Sequence, residues 1–136
     1  MIEVHNLTTN PIDEEFLKKV AKKVLEEENK SETELSVALV GPGRMRKLNK
    51  KYLGKNRTTD VLSFPDNGFG EIVICPKEVK KNAKRFKSTF EKELALCLIH
   101  GLLHLLGYNH EISKEKAKKM EQKQQYYLEI CQDLIS

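Results

Sequence analysis

Between Glu93 and Leu106 the chain reads ELALCLIHGLLHLL, and no other stretch restricts the fold so tightly. Advancing about 100° per residue, Leu94, Leu98, Leu102 and Leu105 take one side of a helix, Ile99 and Leu106 the next, and Leu96 and Leu103 another. A helix that is apolar in nearly every direction must run through a core with other elements packed around it. Its one polar seam consists of Glu93, Cys97, His100 and His104. Ser88, with Glu91 three positions on, resembles a capping box that starts the helix at Thr89, and Gly107 supplies the left-handed residue that ends it.

The remaining elements follow from periodicity. Ile2 and Val4 alternate as in a short strand, and helical spacing then takes over near Pro11 through Phe16, Leu17, Val20, Ala21 and Val24. Glu34 to Val40 returns to period two, Gly41-Pro42-Gly43 closes that strand, and Arg44 to Leu53 reads as a helix stopped by Gly54. Asp60 to Phe64, closed by Pro65, and Glu71 to Cys75 read as a hairpin across DNGFG. Two further helices are expected over Lys77–Arg85 and Lys114–Leu134, the latter with Ala117, Met120, Tyr127, Cys131 and Leu134 as a packing stripe. The fold class is therefore α+β: a small mixed sheet of about four strands packed with about five helices, the central apolar helix carrying the histidines.

A chain of 136 residues suits one domain over its whole length, and it can bury a core without disulfides. Its formal charge of +4 says little, but basic residues gather at Arg44–Tyr52 and Lys77–Lys87 and acids at Asp13–Glu15 and Glu26–Glu28. The basic clusters attract phosphates or simply form the solvated faces of amphipathic helices. The three cysteines, Cys75, Cys97 and Cys131, form no C-x-x-C pair, and an odd count fits a reducing, cytoplasmic setting. No apolar run approaches the roughly 20 residues that span a bilayer, and the start lacks the pattern of a secretory leader, so no membrane partner is expected.

Three of the four histidines fall within His100–His110, in surroundings that penalise unsatisfied polar groups. His100 and His104 lie one helical turn apart, which points both imidazoles the same way. The turn after Gly107 would return His110 toward them, giving three ligands to one zinc or other divalent transition ion and leaving a fourth position open, as in catalytic zinc sites. His5 is too remote in sequence to join them, whereas Cys97 and Glu93 share the seam as supporting or substitute ligands, or Cys97 as an inert buried thiol. The spacing H-x3-H-x5-H, glycine included, equals that of the H-E-x-x-H-x-x-G-x-x-H zinc proteases. Gly101, however, stands where those enzymes have their general-base glutamate, which weakens a peptidase reading; in its place Gly101 would leave room beside the metal for a substrate group.

HGLLHLLGYNH resembles the H-G-x-L-H-L-x-G-Y-D-H signature of the YbeY family of bacterial single-strand-specific, metal-dependent endoribonucleases that act in ribosomal RNA maturation and ribosome quality control. TDVLSFP (Thr59 to Pro65) and GEIVIC (Gly70 to Cys75) are similar to two further blocks of that family, in the same order. The resemblance implies a zinc ion on His100, His104 and His110, cleavage of single-stranded RNA including the 3′ end of small-subunit rRNA, and ribosomal RNA or a ribosomal subunit as partner. Asn109 replaces a common aspartate, and Glu71 stands where Asp is frequent. Leu53 occupies the place of an arginine linked to activity, which leaves Arg57 or Arg46 to supply a cation to the phosphate.

On this reading Arg44, Arg46, Lys50 and Lys51 hold flanking phosphates, and Tyr52 and Phe69 are candidates to stack bases. Asp60, Glu71 and Glu111 are candidate general bases by their place in the motifs. Two other classes compete: a non-catalytic ribosome-binding or assembly factor that keeps the zinc site, favoured by the missing arginine, and a zinc metallopeptidase, opposed by Gly101.

Overall fold

A computed structural model of the chain describes residues 1–66, 69–108 and 113–135. Four strands, β1 (Ile2–Asn6), β2 (Glu34–Leu39), β3 (Val61–Asp66) and β4 (Phe69–Ile74), form one sheet in the order β1-β2-β4-β3. β1, β2 and β4 run parallel, and β3 pairs antiparallel with β4, so the sheet is mixed as expected. The helices are α1 (Glu14–Glu27), α2 (Pro42–Leu53), α3 (Pro76–Arg85), α4 (Phe90–Leu105), α5 (Lys114–Ile130) and the four-residue α6 (Gln132–Ile135).

Alternation along the strands divides the apolar residues between two faces. Leu35, Val37 and Leu39 of β2 with Ile72 and Ile74 of β4 face the main core, which they share with α1, α4 and α5. Ala38, Val40, Leu62 and Val73 turn to the other face, under Met45 and Leu48 of α2. Helix α4 packs against α1, α3, α5, β3 and β4, and its Leu98, Ile99, Leu102 and Leu103 are wholly buried. Burial of each such side chain is worth about 1.5–3 kcal/mol, so the leucine-rich helix is the main apolar anchor of the fold.

Several boundaries differ from the sequence expectation, each for a local reason. Helix α4 begins at Phe90, because Thr89 rather than Ser88 is its cap: the Thr89 hydroxyl accepts from the Lys92 N–H at 3.2 Å. Helix α1 begins at Glu14, where Asp13 accepts from the Phe16 N–H at 3.1 Å. Gly41-Pro42-Gly43 does more than close β2: Gly41 is the N-cap of α2 and Pro42 its first residue, a position where the missing N–H costs nothing. β3 runs on through Pro65, paired with Gly70, which an edge strand tolerates. The last helix divides at Cys131, whose carbonyl accepts from Leu134 and Ile135 N–H groups to form α6.

Two close approaches set α4 on the sheet. A Cβ at Gly70 would lie 2.6 Å from Leu105 Cδ1, and one at Gly101 would lie 3.1 Å from Ser63 Oγ and 3.2 Å from Ile72 Cγ2. The Ser63 hydroxyl donates to the Gly101 carbonyl at 3.1 Å. Gly101 therefore faces β3 and β4, which corrects the expectation that it leaves room for a substrate: the missing side chain lets helix and sheet come together.

Candidate functional site

The polar seam of α4 forms one wall of a cleft of about 790 Å³, with Glu93, Cys97, His100 and His104 all lining it. The other walls come from β3 (Val61 to Pro65), the 54–59 loop, the end of α2, the end of α3 and Gln124 of α5. At the centre the Nε2 atoms of His100 and His104 lie 3.0 Å apart, with the rings crossed at 74°. Two nitrogens held about 2.0–2.1 Å from one tetrahedral zinc would be about 3.3–3.4 Å apart, so the pair suits a shared ion. The third expected ligand, His110, and the candidate base Glu111 lie outside the described residues, as does Asn109. Among the described residues no group of three His, Cys, Asp or Glu side chains is arranged to hold a metal.

The thiol of Cys97 approaches Asp60 Oδ2 at 3.4 Å. Burial above all, then the neighbouring Asp60 and Glu93 charges, pushes that thiol well above the ordinary range, so it remains protonated and inert. Asp60 also accepts from Asn82 Nδ2 at 3.2 Å and from the Thr59 hydroxyl at 3.4 Å, and thereby ties the start of β3 to α3 and α4. Glu71, by contrast, points to the other face of the sheet. There it lines a smaller groove of about 240 Å³ with Arg44, Tyr52 and Phe64.

Arg57 lines the histidine cleft, and so does Leu53. Asn49, buried on α2, holds the loop between them: its Nδ2 donates to the Arg57 carbonyl at 2.9 Å and its backbone carbonyl accepts from the Lys55 N–H at 3.3 Å. Arg46 instead bonds Asn56 Oδ1 at 2.9 Å, and Arg46, Lys50 and Lys51 lie on the exposed face of α2. Tyr52 is exposed at the rim of the cleft, against the Phe64 edge at 5.1 Å between ring centres. Phe69 lines a different surface depression, beside Leu105 and Pro65. His5, on β1, is exposed and 3.4 Å from Glu3.

The sequence reading missed three residues. Phe86, at the end of α3, is 61% exposed and lines the histidine cleft with the Arg85 guanidinium 5.5 Å from its ring. Gln124 accepts a hydrogen bond from His100 Nδ1 through its Oε1. Its signal was present: position 124 falls four after Met120 and three before Tyr127, inside the packing stripe of α5, where a polar side chain needs a partner. Glu28, the last of the acid run Glu26–Glu28, is pulled inward, with its side chain 12% exposed. Tyr127 and Tyr108 donate to its carboxylate, Tyr108 at 2.9 Å, and the Lys123 ammonium lies 3.4 Å away. Burial alone would raise this carboxyl, but the two phenol hydrogen bonds and Lys123 outweigh it and leave it below the ordinary carboxylate value. Both phenols are raised, first by burial and then by Glu28.

The family described as Endoribonuclease YbeY matches residues 3–132. An Endoribonuclease YbeY of Thermotoga maritima is 41% identical over 118 residues, covering 85% of this chain and 75% of the relative. One from Chlorobium phaeovibrioides is 40% identical over 133 residues, covering 95% and 89%. A solution structure of a Thermotoga maritima protein superposes with a TM-score of 0.72 at 36% identity, over 96% of this chain and 89% of that one. With the signature histidines side by side on the core helix and the likeness running nearly end to end, the chain belongs to the YbeY endoribonuclease family.

Proposed function

We propose that this protein is a metal-dependent endoribonuclease that hydrolyses single-stranded RNA, acting in maturation of ribosomal RNA, including the 3′ end of the small-subunit rRNA, and in ribosome quality control in the cytoplasm. The observation that carries this reading is the convergence of the His100 and His104 Nε2 atoms in a cleft also lined by Arg57. Among the described residues no helix is long and apolar enough to cross a membrane. One zinc or similar divalent ion per chain would be held by His100 and His104, with His110 as third ligand. Such an ion supplies Lewis acidity toward a phosphoryl oxygen and toward water at neutral pH.

The chain's own residues do the rest. The Arg57 guanidinium, whose planar fork matches a phosphate, binds the scissile group and stabilises the charge that develops on it. Tyr52 and Phe86, both exposed on the rim, offer faces to unpaired bases, which favours single strands over a duplex whose bases are already stacked. Asn49 keeps the Arg57 backbone in place. Arg44, Arg46, Lys50 and Lys51 are left to attract flanking phosphates along α2.

The test is cleavage of single-stranded and duplex RNA with and without chelator, beside His104→Ala and an elemental analysis of protein purified without added metal. Loss of cleavage under both treatments is expected, and cutting that survives both overturns the metal mechanism. Co-sedimentation with ribosomal subunits without any cleavage would favour the assembly-factor reading instead.

A further inference from the structure

We propose that Gln124 is a positioning residue that fixes the tautomer and orientation of the His100 imidazole, so that its Nε2 presents a lone pair toward the ligand position it shares with His104. The inference rests on the reading of these histidines as metal ligands. It goes beyond that reading by giving a role to a side chain on a different helix.

A neutral imidazole carries one N–H, and the partner of one nitrogen decides which form is present. Gln124 Oε1 can only accept, so the hydrogen bond from His100 Nδ1 requires the proton on that nitrogen. Nε2 is then deprotonated, and this is the atom 3.0 Å from His104 Nε2. Metal-bound histidines in general donate their other N–H to an oxygen acceptor, which holds the ring and raises its basicity.

Gln124 is itself held by its neighbours on α5. Lys123 and Tyr127, one residue before and three after it, both bind Glu28 at the end of α1, while Met120 and Tyr127 are buried in the main core. The helix therefore cannot rotate Gln124 away from His100 without breaking that cluster.

The experiment uses metal-free full-length protein with 15N-labelled histidine, comparing wild type with Gln124→Leu, Gln124→Asn and Gln124→Glu. Wild-type His100 should give the Nδ1–H pattern. The leucine variant, and the asparagine variant that keeps an amide too short to reach, should move toward the Nε2–H form that free imidazole prefers. The glutamate variant should retain Nδ1–H.

Zinc affinity by chelator competition should fall by roughly 10- to 100-fold for the leucine variant and recover with glutamate. A wild-type His100 in the Nε2–H form, or a tautomer and zinc affinity indifferent to residue 124, overturns the proposal; the wild-type spectrum decides even if a variant fails to fold. Wild-type protein that binds no zinc yet shows the Nδ1–H pattern would instead sink the metal reading and leave the role of Gln124 as tautomer anchor standing.

Discussion

Tyr127→Phe removes one oxygen from the Glu28 cluster and nothing else. The phenol is 1% exposed and donates to a carboxylate, and a hydrogen bond to a charged acceptor is worth about 1.5–3 kcal/mol. Tyr108 and Lys123 remain to serve Glu28, so the loss should fall within that range and not reach the cost of an unpaired buried charge. For a chain of 136 residues the unfolding entropy converts this to a Tm lower by about 5–10 °C. The pH dependence gives the sharper test. Because the folded Glu28 carboxyl lies below its ordinary value, its stabilisation is complete above the unfolded value of about 4.3 and is lost as pH falls through the folded one. Urea unfolding from pH 7 to pH 3 should therefore show the full gap between wild type and variant at neutral pH, narrowing below about pH 4. A gap under about 0.5 kcal/mol at pH 7, or one that persists undiminished into acid, would refute the account of Glu28 as a charged acceptor.

The other predictions concern the cleft and its supports. Gly101→Val should cost about 3 kcal/mol in urea unfolding, since its Cβ already meets Ser63 and Ile72 at 3.1–3.2 Å before any branch is added. Arg57→Ala should lower kcat/KM on single-stranded RNA and flatten the dependence of log affinity on log salt by about 0.7, whereas Arg46→Ala should leave kcat within about twofold. Asn49→Ala, which frees the Arg57 carbonyl, should cost about 1 kcal/mol of stability and depress kcat more than thermal unfolding would indicate, as steady-state kinetics would show. Phe86→Ala should raise KM for single strands, matching the loss of about 1 kcal/mol or more of stacking, and leave the melting temperature nearly unchanged because the ring is exposed.

Local patterns made much of this molecule legible. The leucines of α4 could be satisfied only in a core, so its central place and its polar seam followed from spacing, and the β3–β4 hairpin followed from two apolar runs around a turn. What stayed hidden depends on contacts between residues distant in the chain. Glu28 looks like the end of a solvated acid run until Tyr108 and Tyr127, eighty and ninety-nine positions on, close over it. Gln124 gains meaning only when α5 packs across α4. Gly101 faces the sheet and not a substrate because its direction depends on where the sheet lies, which helical periodicity does not supply.

Pro65 borders the cleft and lies in β3, at the rim of the sheet. A polypeptide guest is most simply gripped by zipping its main chain onto such a border, rung by rung. Proline leaves one rung without a donor, so an incoming peptide finds a broken ladder. A polynucleotide needs no such ladder, only cations and flat rings, so the missing donor costs it nothing.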